Sequence, residues 1–273
     1  MPRPAKGHGL GDLPIISQNY QSGRCQIGTL GGGNHFIEIQ KADDDHIWLM
    51  IHSGSRNLGF KVAEHYNRLA IAHNRRSKSA IPAGWQLDSL AIDCNEGQLY
   101  LAEMNYCVAF AAANRRLMMT RIVDLIQQLF SPVHFAEAID VAHNYAAVET
   151  HFNRQVLVHR KGAIRAGRDE IGIIPGSQGS ASYVVVGKGN PDSFCSCSHG
   201  AGRRLGRKQA QKQLDLSGEI ARLEAQGIVH ALRGKRDLEE AAGAYKDIEE
   251  VMAKQGDLLT ATRRLRPLAV IKG

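Results

Sequence analysis

The chain has 273 residues, 43% of them hydrophobic and 22% charged, which allows a sizeable core in one large domain or two small ones and excludes a disordered or fibrous protein. Thirty-four Lys and Arg against 27 Asp and Glu leave a formal charge of +7, compatible with a polyanionic partner without requiring one. No apolar run approaches the ~18–20 residues of a membrane span, which excludes membrane insertion, and the N-terminal Met1-Pro-Arg-Pro-Ala-Lys-Gly7 is not followed by the apolar stretch of a secretory signal. The five cysteines, odd in number and without a paired framework, point to a reducing cytoplasm. The 28 glycines, about 10% against a usual ~7%, and the 12 histidines are the leading features.

In chain order, Gly28-Thr-Leu-Gly-Gly-Gly33 reads as a flexible turn leading into a strand, Asn34-His-Phe-Ile-Glu-Ile39. Ile47 to Ile51 is a buried strand, followed at once by His52-Ser-Gly-Ser-Arg56. Val62, Tyr66, Leu69 and His73 recur at helical spacing within residues 60–76, and Pro82 and Gly84 mark the loop beyond. The spacing predicts a long helix over 99–130, closed by Pro132. Short strands are expected at 138–142, ending at His143-Asn-Tyr145, and at 156–158, ending at His159. Ile173-Ile174 leads into the turn Pro175-Gly-Ser-Gln-Gly-Ser180, and Tyr183 to Val186 is a further buried strand. Residues 203–264 alternate helical patterns with short loops. The expected architecture is a single α+β unit with mixed or antiparallel sheets and surrounding helices, strands first and helices crowded toward the end.

His52, His143 and His159 each follow an apolar run, where side chains leaving a sheet can converge on one cleft. Imidazoles so placed are ligands for a borderline divalent metal or, singly, structural caps. Cys195-Ser-Cys-Ser-His199 invites a zinc reading, but the knuckle spacing and a second pair are absent, and Cys195 and Cys197 read better as small packing residues on one strand face. His199-Gly-Ala-Gly-Arg203 leaves an imidazole open beside glycines that admit phosphate oxygens, at what reads as the start of a helix. The alternative there is a glycine turn with a packed ring. Arg203, Arg204, Arg207, Lys208 and Lys212, with Arg263, Arg264 and Arg266, form either an exposed basic helix face or an RNA-backbone track.

Taken together, Gly28 to Ile39, His52 to Arg56, His143 to Tyr145, His159-Arg-Lys-Gly-Ala163, Pro175-Gly-Ser177, Ser193-Phe-Cys-Ser-Cys-Ser-His-Gly-Ala-Gly-Arg203, Ala244-Tyr-Lys-Asp-Ile248 and the terminal Lys272-Gly273 closely resemble the RtcB family of RNA-splicing ligases, in family order. The resemblance implies a GTP- and Mn²⁺-dependent enzyme that joins an RNA 2′,3′-cyclic phosphate or 3′-phosphate end to a 5′-hydroxyl end, in tRNA splicing or RNA repair. By that likeness His199 is the nucleophile that takes up GMP. Asn34, His35, Phe36, Ile37 and Glu38 lie against the guanylate and metals, and His35, His52 and His143 are metal ligands. Asn144, Pro175, Gly176, Ser177, Gln178, Ser182, Gly200, Ala201, Gly202 and Lys272 complete the nucleotide pocket, with Gln178 standing where the family often has Met. RNA, GTP and an archease-like activator are the implied partners.

The family's two-metal site also uses an Asp-x-x-Cys element ahead of the glycine turn. Position 22, three before Cys25, is Ser, and Asp93-Cys94 are adjacent. The chain is therefore expected to be a family member lacking its N-terminal segment, with residues 1–27 an extension or remnant and 28–273 the catalytic domain. Without the bridging thiolate two closely spaced cations would repel, which leaves the second metal without its support. Besides the ligase, two other readings stand: a catalytically impaired remnant that binds nucleotide or RNA, and a metal-dependent cyclic phosphodiesterase.

Overall fold

The structure, a computed structural model, describes residues 1–4, 7–77 and 82–273, and the chain divides into two compact units. The first comprises residues 1–29 and 53–131 and is helical. Helix α1 (Pro14–Gln26) starts on a proline, whose missing N–H would have no intrahelical acceptor at that position. Helices α2 (Leu58–Arg76) and α3 (Asn95–Leu129) complete it. On α2, Leu58, Val62, Tyr66 and Ala70 recur every fourth residue and are buried; of the residues whose spacing implied the helix, Val62 and Tyr66 lie in this stripe, Leu69 is half-buried and His73 is exposed. Leu58, Val62 and Tyr66 pack with Leu13, Ile16, Tyr106 and the fully buried Phe110.

Two buried polar side chains of α3 organise this unit. Glu103, wholly buried, accepts hydrogen bonds from Ile15 N (2.7 Å) and Ile16 N (2.9 Å) at the start of α1 and from the Tyr66 hydroxyl (2.9 Å). A carboxylate there satisfies amides the helix itself leaves open and complements the positive end of its dipole. Three turns further on, Asn114 accepts from Gly28 N (2.6 Å) and Thr29 N (3.2 Å) and donates to Ser53 Oγ (3.0 Å) and Gly54 O (3.3 Å), tying together the two chain segments at the unit's edge. Gly28 is required there: its φ is +79°, and a Cβ would lie 2.7 Å from Leu117 Cδ2.

The second unit, residues 30–52 and 132–273, is built on a five-stranded antiparallel sheet ordered β2-β1-β9-β7-β6. The strands are β1 (Phe36–Ala42), β2 (Ile47–His52), β6 (Ile171–Ile174), β7 (Ser182–Gly187) and β9 (Leu259–Lys272). A hairpin, β3 (Asn144–His151) with β4 (Arg154–Lys161), and a short pair, β5 (Ala163–Arg165) with β8 (Ser196–Ser198), flank it. Three short helices lie between β8 and β9 in the chain: α4 (Arg207–Gln213), α5 (Leu216–Ala225) and α6 (Ile248–Ala253). Ile164, Ile174, Tyr183, Val185, Ile248 and Leu259 form one core cluster, and Leu223, Ile228, Leu232 and Val270 another. The central strand β9 carries Pro267, which cannot donate to a ladder, and the β1 pairing shifts register there: Ile39 faces Ala269 while Gln40 faces Pro267. The extra residue, Leu268, turns its carbonyl to Val229 N (2.9 Å).

The α+β class, the strands at 47–51, 156–158, 173–174 and 183–186 and the long helix are as the sequence implies. Three expectations are corrected. Residues 138–142 form no strand; Ile139 and Val141 are drawn into the core clusters, but the backbone finds no ladder. The helix expected to open at His199 begins eight residues later, at Arg207, so no helix dipole bears on His199. The last third does not remain helical, since 259–272 is the longest strand. Among the described residues no helix is long and apolar enough to cross a membrane.

Replacing Glu103 by Ala would strand three buried donors. Its stability in urea unfolding is expected to fall by about 2–4 kcal/mol, and Tyr66→Phe, which removes one partner only, should cost less than half as much.

Candidate active site

The antiparallel register sets Phe36 opposite both His52 on β2 and Lys272 on β9, so these three side chains stand in a row across one end of the sheet. The Phe36 ring lies 5.4 Å from His52 between centroids and 5.8 Å from Lys272 Nζ. Glu38, two residues along β1, shares the face of Phe36. Around this floor lies a cavity of about 270 Å³, walled by the Pro175–Gln178 turn, Ser182, the His199–Arg203 segment, Arg207, Glu240 and Tyr245. The turn depends on Gly176, where a Cβ would fall 2.1 Å from Ala181 O.

A second row, of imidazoles, runs along the cavity. Ring centroids are 6.0 Å apart for His35 and His52, 5.2 Å for His52 and His143, and 5.3 Å for His143 and His199. Burial, then His143, His35 and His199 in turn, hold His52 neutral, pulling its pKa down to about 3. Burial also lowers His199, against a hydrogen bond to the Gly162 backbone that works the other way. His35 Nδ1 lies 2.8 Å from Leu30 O; as a carbonyl only accepts, the bond places a proton on Nδ1 and fixes the orientation of the ring.

Glu38 is almost fully buried, and desolvation pushes its pKa up to about 8, against the opposing effects of its hydrogen bond from Gln40 and of the Lys272 charge. Gln40 Nε2 also donates to Ser182 Oγ (3.0 Å), which in turn accepts from Gly176 N (3.2 Å), linking β1 to the turn. Burial likewise lowers Lys272, while Glu240 and Glu38 support its charge. The opposite wall is organised by Glu240, which accepts from Arg203 Nη1 (3.2 Å), Arg207 Nε (3.3 Å) and the Tyr245 hydroxyl. Arg203 stacks on Tyr245 with its guanidinium carbon 5.1 Å from the ring centre.

Of the residues expected in the site, Asn34, Phe36, Glu38, His52, Pro175, Gly176, Ser177, Gln178, Ser182, His199, Gly200, Ala201, Gly202 and Lys272 line the cavity. His35 and His143 join through the imidazole row. Ile37 falls on the other face of β1 by strand alternation, and Asn144 is exposed at the start of β3. His159 is exposed within β4 rather than at a strand end. Cys197 is buried, its thiol raised to about 11 chiefly by burial, whereas Cys195 lies outside the strand with φ +48°. Of the basic residues, Arg263 pairs with Asp44 (2.6 Å), Arg264 with Glu249 (3.0 Å), and Arg204 donates to Gly243 O (2.9 Å). Glu240 was not legible in the sequence, because an acidic pair in a charged loop carries no pattern. Tyr245 and Arg203 lie in blocks that carry the family resemblance without a role assigned to them.

The donor chemistry of His35, His52 and His143, neutral imidazole, suits a divalent transition metal, and two imidazoles on one tetrahedral ion at about 2.1 Å would have centroids about 5 Å apart. The three rings are nevertheless strung in a row. Among the described residues no group of three or more His, Cys, Asp or Glu is gathered to hold a metal ion.

The family model "tRNA-splicing ligase RtcB" matches residues 10–273. The chain belongs to the RtcB family. A protein of Escherichia coli (strain K12) named RNA-splicing ligase RtcB is 38% identical over 265 residues, covering 95% of this chain and 63% of that protein. Proteins named tRNA-splicing ligase RtcB from Nanoarchaeum equitans (36% over 294 residues, 93% of this chain and 61% of that protein) and Thermococcus kodakarensis (34% over 306 residues, 96% and 63%) are also similar. The chain thus spans less than two thirds of the length of these RtcB relatives.

The raised Glu38 pKa has a definite sign. Between about pH 5 and 8 the folded state holds a Glu38 proton that the unfolded state has released, so this group's contribution to stability falls as pH rises, with a slope approaching 1.4 kcal/mol per pH unit. Below about pH 6.5 the lowered His52 and His199 offset it, because there the unfolded state binds protons that the folded rings do not. Urea unfolding between about pH 7 and 8 is therefore expected to show the loss in wild type and a flatter profile in Glu38→Gln; parallel profiles would refute it.

Proposed function

We propose that this chain is the guanylyl-accepting core of a GTP- and Mn²⁺-dependent RNA ligase, joining RNA 2′,3′-cyclic phosphate or 3′-phosphate ends to 5′-hydroxyl ends. The observation that carries the reading is His199: an imidazole held toward the neutral form by burial, hydrogen-bonded through its ring to the Gly162 backbone, at the wall of a cavity also lined by Lys272, Arg203 and Arg207. Membership of the RtcB family and the names of its relatives support it.

In this reading the His199 lone pair forms a P–N bond to the α-phosphorus of GTP as the bond to the β-phosphate oxygen breaks and pyrophosphate leaves. GMP then passes to an RNA 3′-phosphate, restoring the imidazole, and the 5′-hydroxyl attacks that activated phosphate to form the phosphodiester and release GMP. Gly200 and Gly202 leave room for the phosphate beside the ring, and Gly202 takes φ +72°, which side-chain-bearing residues avoid. Arg203 and Arg207 supply positive charge for the phosphates, with Glu240 fixing the direction of both guanidinium groups. Glu38 and Lys272, at the floor, are the groups for the polar edge of the guanylate. By the family likeness His35, His52 and His143 would be the imidazoles that hold Mn²⁺, a role for which the row would have to close around the ion, and the bound ion would supply further positive charge to the reacting phosphates.

Incubation with α-labelled GTP and Mn²⁺ is expected to yield a protein adduct that is acid-labile and alkali-stable, as a phosphoramidate is. His199→Ala should abolish it while melting like the wild type. A folded wild-type chain that takes up no label would reject the proposal.

A further inference from the structure

The β3–β4 hairpin ends in a two-residue turn, Phe152-Asn153, between the paired residues His151 and Arg154. Both turn residues have positive φ, +50° and +59°, a geometry that usually calls for Asn-Gly. A second phenylalanine, Phe194, on the loop before β8, also adopts positive φ, +53°. For bulky residues this conformation is strained. The two rings meet edge to face with centroids 5.6 Å apart, and His151 lies 5.0 Å from Phe194. Phe152 is nonetheless 60% exposed and Phe194 40%.

Beneath the rings the support is rigid. Arg160, almost fully buried, forms a two-pronged ion pair with Glu149, whose other partner is His151 Nε2 (2.8 Å), and donates to Phe194 O (3.0 Å) and Ser196 Oγ (3.0 Å). The arrangement accepts backbone strain and a buried ion pair in order to hold two aromatic rings toward solvent, which core packing cannot explain. The hairpin is also basic: Arg154, Arg160 and Lys161 stand against Glu149 alone, and Arg154, at the tip, is exposed. Its base belongs to the candidate active site, since β3 follows His143 directly and Gly162, after β4, lies against His199. The tip is about 23 Å further along the strand.

We propose that Phe152 and Phe194 form a stacking platform for unpaired bases of the RNA, held about one hairpin length from the reacting end, with Arg154 on the adjoining phosphate. Exposed aromatic faces beside cations are the means by which single strands are held without sequence preference. The proposal rests on the ligase reading for its substrate.

The probe is a fluorescein-labelled single-stranded oligouridine bearing a 3′-phosphate, followed by anisotropy with the full chain. Phe152→Leu, apolar but unable to stack a base, should weaken binding about tenfold and leave the melting temperature unchanged, and Phe152→Trp should restore it. Phe152→Leu should keep the salt slope, whereas Arg154→Ala should reduce it by about 1. Equal affinity in Phe152→Leu and wild type, or no binding by the wild type, overturns the platform. Uptake of GTP label separates the two ideas: label with Phe152-independent RNA binding sinks the platform alone, and Phe152-dependent binding without label sinks the ligase reading alone.

Discussion

The pairing that sets Phe36 opposite both His52 and Lys272 is the constraint on which the candidate site depends. In a sheet a slip of one residue sends every side chain to the other face, so Lys272 reaches the cavity only if β9 keeps its register over its whole length. Apolar burial enforces this: Leu265 and Val270 are buried in separate clusters on either side of Pro267, and the bulge at Pro267 lets both pack at once. β7 fixes the other edge of β9 through Ser182 opposite Leu265, and Ser182 is itself bonded to Gln40 and Gly176. Sheet register, cavity floor and cavity turn are thereby one connected structure.

The floor of this cavity favours uncharged forms. Burial holds His52 and His199 toward the neutral imidazole and Glu38 toward the neutral acid. The cations on the rim are treated differently, since Arg203 and Arg207 are both anchored on Glu240. An anionic ligand would therefore meet positive groups already oriented, next to a nitrogen whose lone pair is available. Preorganisation of this kind avoids reorganising dipoles when charge develops on a phosphate.

Much of the site could be read from the sequence because it is made of short contiguous blocks: Asn34 to Glu38, Pro175 to Gln178 and His199 to Gly202 each reach the cavity as a loop or strand end. What the sequence concealed is long-range. The first part of strand β9, up to Arg264, fell in a stretch of helical pattern because charged residues interrupt its apolar ones, and the strand's identity comes from β1 and β7 rather than from its own alternation. Helix α1 has a weak apolar stripe and is fixed by Glu103, 87 or 88 positions away. The segment 138–142 has strand composition but joins no sheet, and from His199 to Gly206 the chain runs through bends before the helix opens at Arg207. Glu240 acts only through contacts that folding creates.

The central claim is that a guanylate occupies the cavity between His199 and the Phe36–Lys272 floor. A crystal structure of the chain grown with GTP and Mn²⁺ tests it most directly. The account predicts nucleotide density over Phe36 and Lys272, continuous with the His199 ring. A nucleotide bound elsewhere on the chain, or one whose phosphate faces away from His199, would contradict it.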